Sequence, residues 1–206
     1  MENSQSAQNN AIALLKQGLR RSKDLEALGV SRMVLKRLVD KGAVERLGRG
    51  LYGLSGASYD ENQQLLEVCQ RVPKGVICLL SALQYYDLTT EMPHEIWLAL
   101  EKGSWKPKLD YPPIRVFRYS AKSYMAGIEK VPVSGGVIQI YSPGKTIADC
   151  FKFRNKIGID VAIKALKDCW RKKMTTMNEL TQHAKECRVH NLMRPYLESL
   201  IYNTME

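Results

Sequence analysis

The stretch that decides the fold of the first part of the chain is residues 21–54, RSKDLEALGVSRMVLKRLVDKGAVERLGRGLYGL. It predicts a short helix after Ser22, a left-handed turn at Gly29, and a second helix that Ser31 caps and that runs to about Lys41. One side of this second helix is apolar at helical spacing, through Val34, Leu35, Leu38 and Val39. Its other side is mostly basic.

A hairpin is predicted directly after the second helix. Residues 43–47 and 51–54 are short apolar-rich runs joined by Gly48-Arg49-Gly50, which places Arg49 at the tip of the turn. Helix, turn, helix and hairpin in this order are typical of a winged helix-turn-helix that binds DNA. A small helical element with an ordinary solvated basic face remains the alternative. The residues predicted to contact DNA are Ser31, Arg32, Lys36, Arg37 and Lys41 on the helix and Arg46 and Arg49 on the wing.

Composition limits the classes of protein and of partner. The 206 residues are 45% hydrophobic, enough for packed cores, and a formal net charge of +10 favours a polyanionic partner. Charge alone does not distinguish DNA, RNA and an acidic protein. The five cysteines are scattered without a Cys-x-x-Cys pair, which favours reduced thiols over disulfides or zinc. With neither a signal peptide nor an apolar run of membrane-spanning length, we expect a soluble, cytoplasmic protein with no membrane partner.

The remaining pattern predicts two domains, residues 1–55 and 56–206, joined by a small flexible linker at 55–58. A first helix is expected at 10–18, after a polar segment without regular structure. In the second domain, strands are expected at 95–100, 114–119 and 136–141. Helices are expected from Asp60 to about Arg71, at 81–86, from Ser142 with Pro143 in its first turn to about residue 155, at 160–172, and from Thr176 to about residue 202 with an interruption near Pro195. The fold class predicted is α+β, with several helices grouped on a small sheet.

Three stretches resemble a known family. SALQYYDLTTEMP (81–93) and YSPGKTIADCFKFRNKIGIDVAIKAL (141–166) are similar to the C-terminal domain of AbiEi-type antitoxins of type IV toxin–antitoxin systems, and GRGLYGL (48–54) is similar to their winged helix. The resemblance implies an antitoxin that represses its own operon by binding double-stranded promoter DNA at inverted repeats, where it can self-associate. It also implies a nucleotidyltransferase-type toxin as functional counterpart, neutralised without a stable complex.

The residues of the second domain argue against catalysis. None of the 21 Asp and Glu residues has Lys two positions later, as restriction-type nucleases require, and the three histidines are isolated from other metal ligands. Residues 142–146, SPGKT, are superficially similar to a phosphate-binding loop but lack its leading glycine. We therefore expect neither an enzyme nor a cofactor or metal.

A basic cluster is the most conspicuous feature of the second domain. Residues 145–173 contain nine Lys and Arg against three Asp, an excess of six positive charges. From it we predict an antitoxin surface at Lys145, Lys152, Arg154 and Lys156; a solvated helix face is the alternative. For the whole protein, the alternative is an ordinary winged-helix regulator whose C-terminal domain senses a ligand or dimerises.

Overall fold

A computed structural model describes residues 2–48, 50–56, 62–109 and 112–202 of the chain. It divides into two compact units, residues 1–73 with 131–138 and residues 74–130 with 139–206. The domain boundary expected near residue 55 stays a prediction, since the division by compactness groups the helix at Gln63–Arg71 with the first unit.

The first unit has the predicted order of helix, turn, helix and hairpin. Its elements are α1 (Glu2–Lys16), β1 (Arg20–Arg21), α2 (Ser22–Ala27), α3 (Arg32–Asp40), β2 (Val44–Gly48), β3 (Leu51–Leu54) and α4 (Gln63–Arg71). Strands β2 and β3 pair antiparallel, and β1 adds to the other side of β3 to give the sheet order β1-β3-β2. Two residues are too few to produce a sequence pattern, so β1 was not predicted.

Glycine ends both helices of the helix–turn–helix, as predicted. Gly29 and Gly42 have φ angles of +82° and +69°. The backbone amide of each glycine donates to a carbonyl oxygen in the last turn of the helix that precedes it. Behind the two helices lies one buried apolar cluster, so that α1, α2, α3 and β2 share a core. Its members are Ala11, Leu15, Leu25, Val30, Val34, Leu35, Leu38 and Val44.

The first helix is longer than predicted. It begins at Glu2, whereas the sequence predicted a start near Asn10. Tertiary contacts override the weak helix preference of the polar residues: Ala7 packs against the core, and the buried side chain of Gln8 accepts a hydrogen bond of 3.0 Å from Lys41 Nζ. Helix α2 also begins one residue early, at Ser22, so Arg21 occupies the N-cap position.

The second unit is α+β, as predicted. Its elements are β4 (Val76–Ile77), α5 (Leu79–Tyr85), β5 (Ile96–Glu101), β6 (Ile114–Tyr119), α6 (Ala121–Met125), β7 (Ile128–Val133), β8 (Gly136–Tyr141), α7 (Pro143–Lys152), α8 (Arg154–Ile157), α9 (Ile159–Arg171), α10 (Met177–Glu186) and α11 (His190–Tyr202). The five-stranded sheet has the order β6-β5-β4-β8-β7, in which the tip of the β7–β8 hairpin belongs by contact to the first unit. Strand β5 pairs parallel with β6 and antiparallel with β4, and β4 pairs parallel with β8.

Helix starts in the second unit follow the sequence closely. The Ser142 hydroxyl accepts the Lys145 amide at the start of α7, with Pro143 in the first turn. Thr176 and Glu179 form the predicted capping box at α10, in which each side chain bonds the other residue's backbone amide.

Helix ends were predicted less well. Helix α7 stops at Lys152 and α8 is a separate turn, where the sequence predicted one helix to residue 155. The C-terminal helical segment breaks at residues 187–189, because Arg188 adopts φ +60° and Val189 N bonds back to Ala184 O at 2.8 Å. Pro195, where the break was predicted, lies inside α11.

In the parts of the chain that the structure describes, every helix is too short or too polar to cross a membrane.

Candidate nucleic-acid interface

Helix α3 separates its residues into a buried and an exposed side. Ser31 caps it by accepting the Val34 amide at 3.4 Å, and Val34, Leu35 and Leu38 are buried in the core of the first unit. The opposite side is in solvent and presents Arg32, Met33, Lys36 and Arg37. Burial of the apolar side therefore fixes which way the basic side points.

Arg32 is the most clearly positioned of the exposed cations. Its Nε donates to Glu26 Oε1 of α2 in an ion pair, and its side chain is 82% exposed. The hydrogen bond and charge of Glu26 raise the pKa of Arg32 above its ordinary value, so the guanidinium stays charged. Arg37 lies one turn after Met33 and its Nη2 is 3.7 Å from the Met33 sulfur. The contact with Glu26 uses Nε of Arg32, so the two Nη groups of the guanidinium remain as further donors.

The ends of α3 hold two further predicted residues whose polar groups already have partners within the protein. Ser31 Oγ is occupied by the Val34 amide, and Lys41 Nζ bonds Gln8 of α1. Both residues are exposed. Lys41 therefore adds positive charge to this side while it also ties α1 to the end of α3.

The β2–β3 hairpin follows α3 directly. Arg46 on β2 is exposed and pairs in register with Tyr52 of β3, and a bulge between Arg46 and Gly48 bends the strand before the turn. Arg49, predicted at the tip, lies outside the described residues. The structure thus brings Arg46 and the cations of α3 onto neighbouring elements of one unit.

The prediction that Lys145 belongs to an antitoxin surface is wrong. This residue is completely buried, and its Nζ is 2.5 Å from Asp149 Oδ2 one helical turn later. The ammonium also lies over two tyrosine rings, 4.1 Å from the centroid of Tyr141 and 4.9 Å from that of Tyr119. Sequence spacing placed Lys145 on a basic face, but a lysine one turn before an aspartate can equally form a buried pair.

The same buried centre contains thiols. Cys187 Sγ donates to Asp149 Oδ1 at 3.2 Å, so both oxygens of the carboxylate have partners. Burial raises the pKa of Cys187 to about 12 and also raises that of Tyr119 well above its usual range. These groups remain neutral at physiological pH and stabilise one buried ion pair.

The other members of the predicted antitoxin surface lie on the outside of the second unit. Lys152 ends α7 half-buried, with its Nζ 5.5 Å from the centroid of Tyr119. Arg154 is half-buried and donates to Phe151 O at 3.3 Å, and Lys156 is exposed on α8. Because α7 ends at Lys152, Lys152 and Lys156 stand on different helices rather than on one face.

Metal and phosphate sites receive no support from the described residues. Within them, no three His, Cys, Asp or Glu side chains come close enough together to hold a metal ion. The SPGKT segment is the capped start of α7, and its lysine is the buried partner of Asp149.

Comparison with known proteins gives a family match in the first part of the chain. A family model described as "Transcriptional regulator, AbiEi antitoxin" matches residues 11–55. The crystal structure of the RV2827C protein from Mycobacterium tuberculosis is similar with a TM-score of 0.56 at 12% sequence identity, over 94% of this chain and 81% of that chain. At that identity the likeness concerns the fold alone. No curated protein matches the chain. The predicted resemblance to the AbiEi antitoxins is therefore confirmed over residues 11–55, the segment that contains the last part of α1, both helices of the helix–turn–helix and the hairpin.

Proposed function

We propose that the protein is a cytoplasmic, DNA-binding regulator that acts as the antitoxin of a type IV toxin–antitoxin system and represses its own operon. The observation that carries this proposal is helix α3, which exposes Arg32, Lys36 and Arg37 beside the β2–β3 hairpin inside the matched segment. We place it among binding proteins rather than enzymes, because the family model that matches residues 11–55 describes a transcriptional regulator.

Helix α3 has the dimensions of a recognition helix. Nine residues extend over about 13 Å, and the major groove of B-DNA is wide enough to admit a helix. Arg32 and Arg37 supply guanidinium groups that can bond a guanine bidentately, and Lys36 lies between them in sequence. Met33, which is 64% exposed, offers an apolar contact to a thymine methyl group.

The groups around α3 would position the helix on the backbone. Arg46 on β2 is suited to a phosphate contact beside the groove, the sequence predicts the same role for Arg49, and Lys41 adds charge at the end of α3. Ser31 lies at the N-terminus of α3, where backbone amides favour a phosphate. The proposed target is the protein's own promoter, with inverted repeats occupied by two copies.

A gel-shift titration of the full-length protein on its own promoter tests the DNA contact. Loss of a base-contacting arginine costs about 1–3 kcal/mol, so Arg32→Ala/Arg37→Ala should weaken operator binding at least tenfold and reduce discrimination against random duplex. Lys164→Ala/Lys167→Ala on α9 removes the same charge from the second unit and should bind like the wild type. Equal binding by the wild type and the Arg32/Arg37 variant would refute the assignment of α3.

Neutralisation of the toxin is assigned to the second unit. Lys152, Arg154 and Lys156 form the part of the predicted antitoxin surface that remains available, and the counterpart is a nucleotidyltransferase-type toxin without a stable complex. Lys152→Glu/Lys156→Glu should keep operator binding and lose rescue of growth when the toxin is co-expressed. A matched Lys164→Glu/Lys167→Glu variant controls for net charge. Rescue of growth by both variants would show that Lys152 and Lys156 are solvent-exposed charges with no role in neutralisation.

A hollow in the second unit favours a second candidate function. It has a volume of about 670 Å³ and lies between apolar Trp170, Met177 and Leu200 and basic Lys167 and Arg171. Such a volume suits a small organic anion, as in a regulator whose C-terminal unit senses a ligand. Growth rescue in the co-expression assay separates the two functions, since a ligand sensor would not relieve toxicity.

A further inference from the structure

The loop between β5 and β6 exposes a tryptophan. Trp105 is 85% exposed, the most of any large hydrophobic side chain in the described residues. Trp97, in β5, is only 4% exposed and stacks on Phe117 at 4.8 Å. Tryptophan is highly buried on average in folded proteins, so an exposed indole marks a candidate contact surface where further apolar groups lie beside it.

Positive charge surrounds this indole. The segment KGSWKPK, residues 102–108, contains three lysines and no acidic residue. Lys102, Lys106 and Lys108 are exposed, and among the described residues none of them forms an ion pair. The nearest acids in the chain are Glu101, before the segment, and Asp110, which lies outside the described residues. We call residues 102–109 the Trp105 loop.

A hollow lies beside the indole. Its volume is about 540 Å³, and Trp105, Pro107, Leu109, Pro113 and Ile114 give it apolar walls. Lys106 and Lys108 lie on its rim together with one acid, Glu95. A hollow of this size accepts a planar ring, and its rim would attract an anionic group on the same ligand.

The first residues of the Trp105 loop are anchored by backbone hydrogen bonds. Lys102 N donates to Tyr119 O at 2.7 Å, and Ser104 N donates to Glu101 O at 3.1 Å. Pro107 and Pro113 restrict the backbone on either side of the hollow. This anchoring and the two prolines limit the conformational freedom that the loop can lose on binding, which favours recognition through one aromatic ring.

We propose that the Trp105 loop binds single-stranded nucleic acid. One unpaired base stacks on the indole of Trp105, a neighbouring base enters the hollow, and the phosphates contact Lys102, Lys106 and Lys108. A platform of this kind combines the two features by which proteins hold single strands without strong sequence preference, stacking and backbone charge. Duplex DNA does not offer a free base face, so this site is distinct in chemistry from the proposed duplex contact of α3. The proposal therefore stands independently of operator recognition.

The test uses the full-length protein with Arg32→Ala/Arg37→Ala, which removes the proposed duplex contact. The probes are a labelled 12-nucleotide RNA and a DNA of the same sequence, both free of secondary structure, followed by anisotropy. A second version also carries Trp97→Phe/Trp170→Phe, which leaves Trp105 as the only tryptophan among the chain's three. Its intrinsic fluorescence then reports stacking directly, after a thermal melt has shown that this version is folded.

Both probes should bind and quench Trp105. Trp105→Ala should weaken binding at least about tenfold, while Trp105→Phe keeps a stacking ring and should bind more tightly than the alanine variant. Replacing Lys102, Lys106 and Lys108 by Gln should flatten the slope of log affinity against log salt by about 2, since each phosphate contact to a single strand contributes about 0.7. The triple variant Lys130→Gln/Lys164→Gln/Lys185→Gln removes the same charge from other exposed positions of the second unit and should leave the slope unchanged. A preference for RNA would assign the 2′-hydroxyl a role, and equal binding would assign the site to single strands in general.

Three results would overturn the proposal. One is no measurable binding of either probe at low salt. Another is binding that neither quenches Trp105 nor responds to Trp105→Ala. The third is quenching by a poly-glutamate peptide in the absence of any response to the oligonucleotides, which would assign the loop to an acidic protein instead. Operator binding by the unmodified α3 is measured separately on duplex DNA, so failure of one proposal does not imply failure of the other.

Discussion

At the scale of single residues, Lys145 shows how environment decides the role of a charge. Its completely buried ammonium is satisfied by Asp149 and by the faces of Tyr119 and Tyr141. In the sequence Lys145 looks like the solvated lysines that follow it. Hydrophobic periodicity does not indicate which lysine forms an ion pair with a neighbouring aspartate. That the pair is buried could be recognised only from the structure.

Removing only the lysine should be strongly destabilising. Lys145→Met leaves the Asp149 carboxylate buried without its cation, which should reduce the free energy of unfolding by about 3–5 kcal/mol. Lys145→Met/Asp149→Leu removes both charges and should recover most of that loss. Urea unfolding followed by circular dichroism measures both variants.

A single variant as stable as the wild type would contradict this account of the buried pair. Lys156→Met, on the exposed surface of α8, is the matched control and should change stability by less than about 0.5 kcal/mol.

At the scale of elements, the chemistry of helix starts is local and the sequence predicted it well. The sequence predicted that three helices are each capped by a particular side chain, and the structure has those caps: Ser31, Ser142 and Thr176. Helix ends were less predictable: the C-terminal segment breaks at Arg188, a left-handed residue that is not glycine, whereas the sequence predicted the break near Pro195. Short elements such as β1 and β4 were missed, since two residues take strand conformation only through their partners.

The capping box of α10 should make stability depend on pH. Hydrogen bonds from the Thr176 amide and the Thr175 hydroxyl lower the pKa of Glu179, so its folded pKa lies below its unfolded value. The stabilisation is therefore present above about pH 4.3, the ordinary glutamate value, and is lost as pH falls through the folded pKa. Glu179→Gln should be less stable than the wild type at pH 7, and the difference should decrease as the pH falls below about 4.3.

Thr176→Ala provides the comparison for the same helix. It removes the neutral half of the box and should cost about 1 kcal/mol at both pH values. Thermal melts at pH 7 and pH 3 measure all three proteins. A Glu179→Gln difference that is the same at both pH values would rule out the carboxylate as its source.

At the scale of the whole molecule, the α+β class follows from strands and helices that the sequence shows separately. Pairing of the strands does not follow from the sequence. Strands β5 and β6 lie parallel although only twelve residues join them, and the described part of that connection, residues 102–109 and 112–113, contains no helix. The candidate DNA surface was predictable, since α3 has both an apolar and a basic side. The antitoxin surface was only partly predictable, because Lys145 belongs to the core.

The division into units leads to an expectation about fragments. The buried cluster of the first unit lies entirely between Ala11 and Val44, so residues 1–55 contain the whole cluster. We predict that this fragment folds alone and melts cooperatively, but at a lower temperature than the full chain, because Leu19 N then loses its bond to Gly135 O and because a domain of this size is marginal. Circular dichroism of the fragment against the full-length protein measures this. A helical signal that declines without a transition would show that the linker at 55–58 is not a domain boundary.

The buried Lys145–Asp149 pair also limits how this protein can change over generations. Natural domains are stable by only about 5–15 kcal/mol, so a lineage that loses either charge alone risks losing much of its folded protein. Reversion or a second change at the partner position is then the accessible route back to a stable fold. The two codons lie four positions apart and recombination would rarely separate them, so the pair should pass to descendants as a single heritable unit.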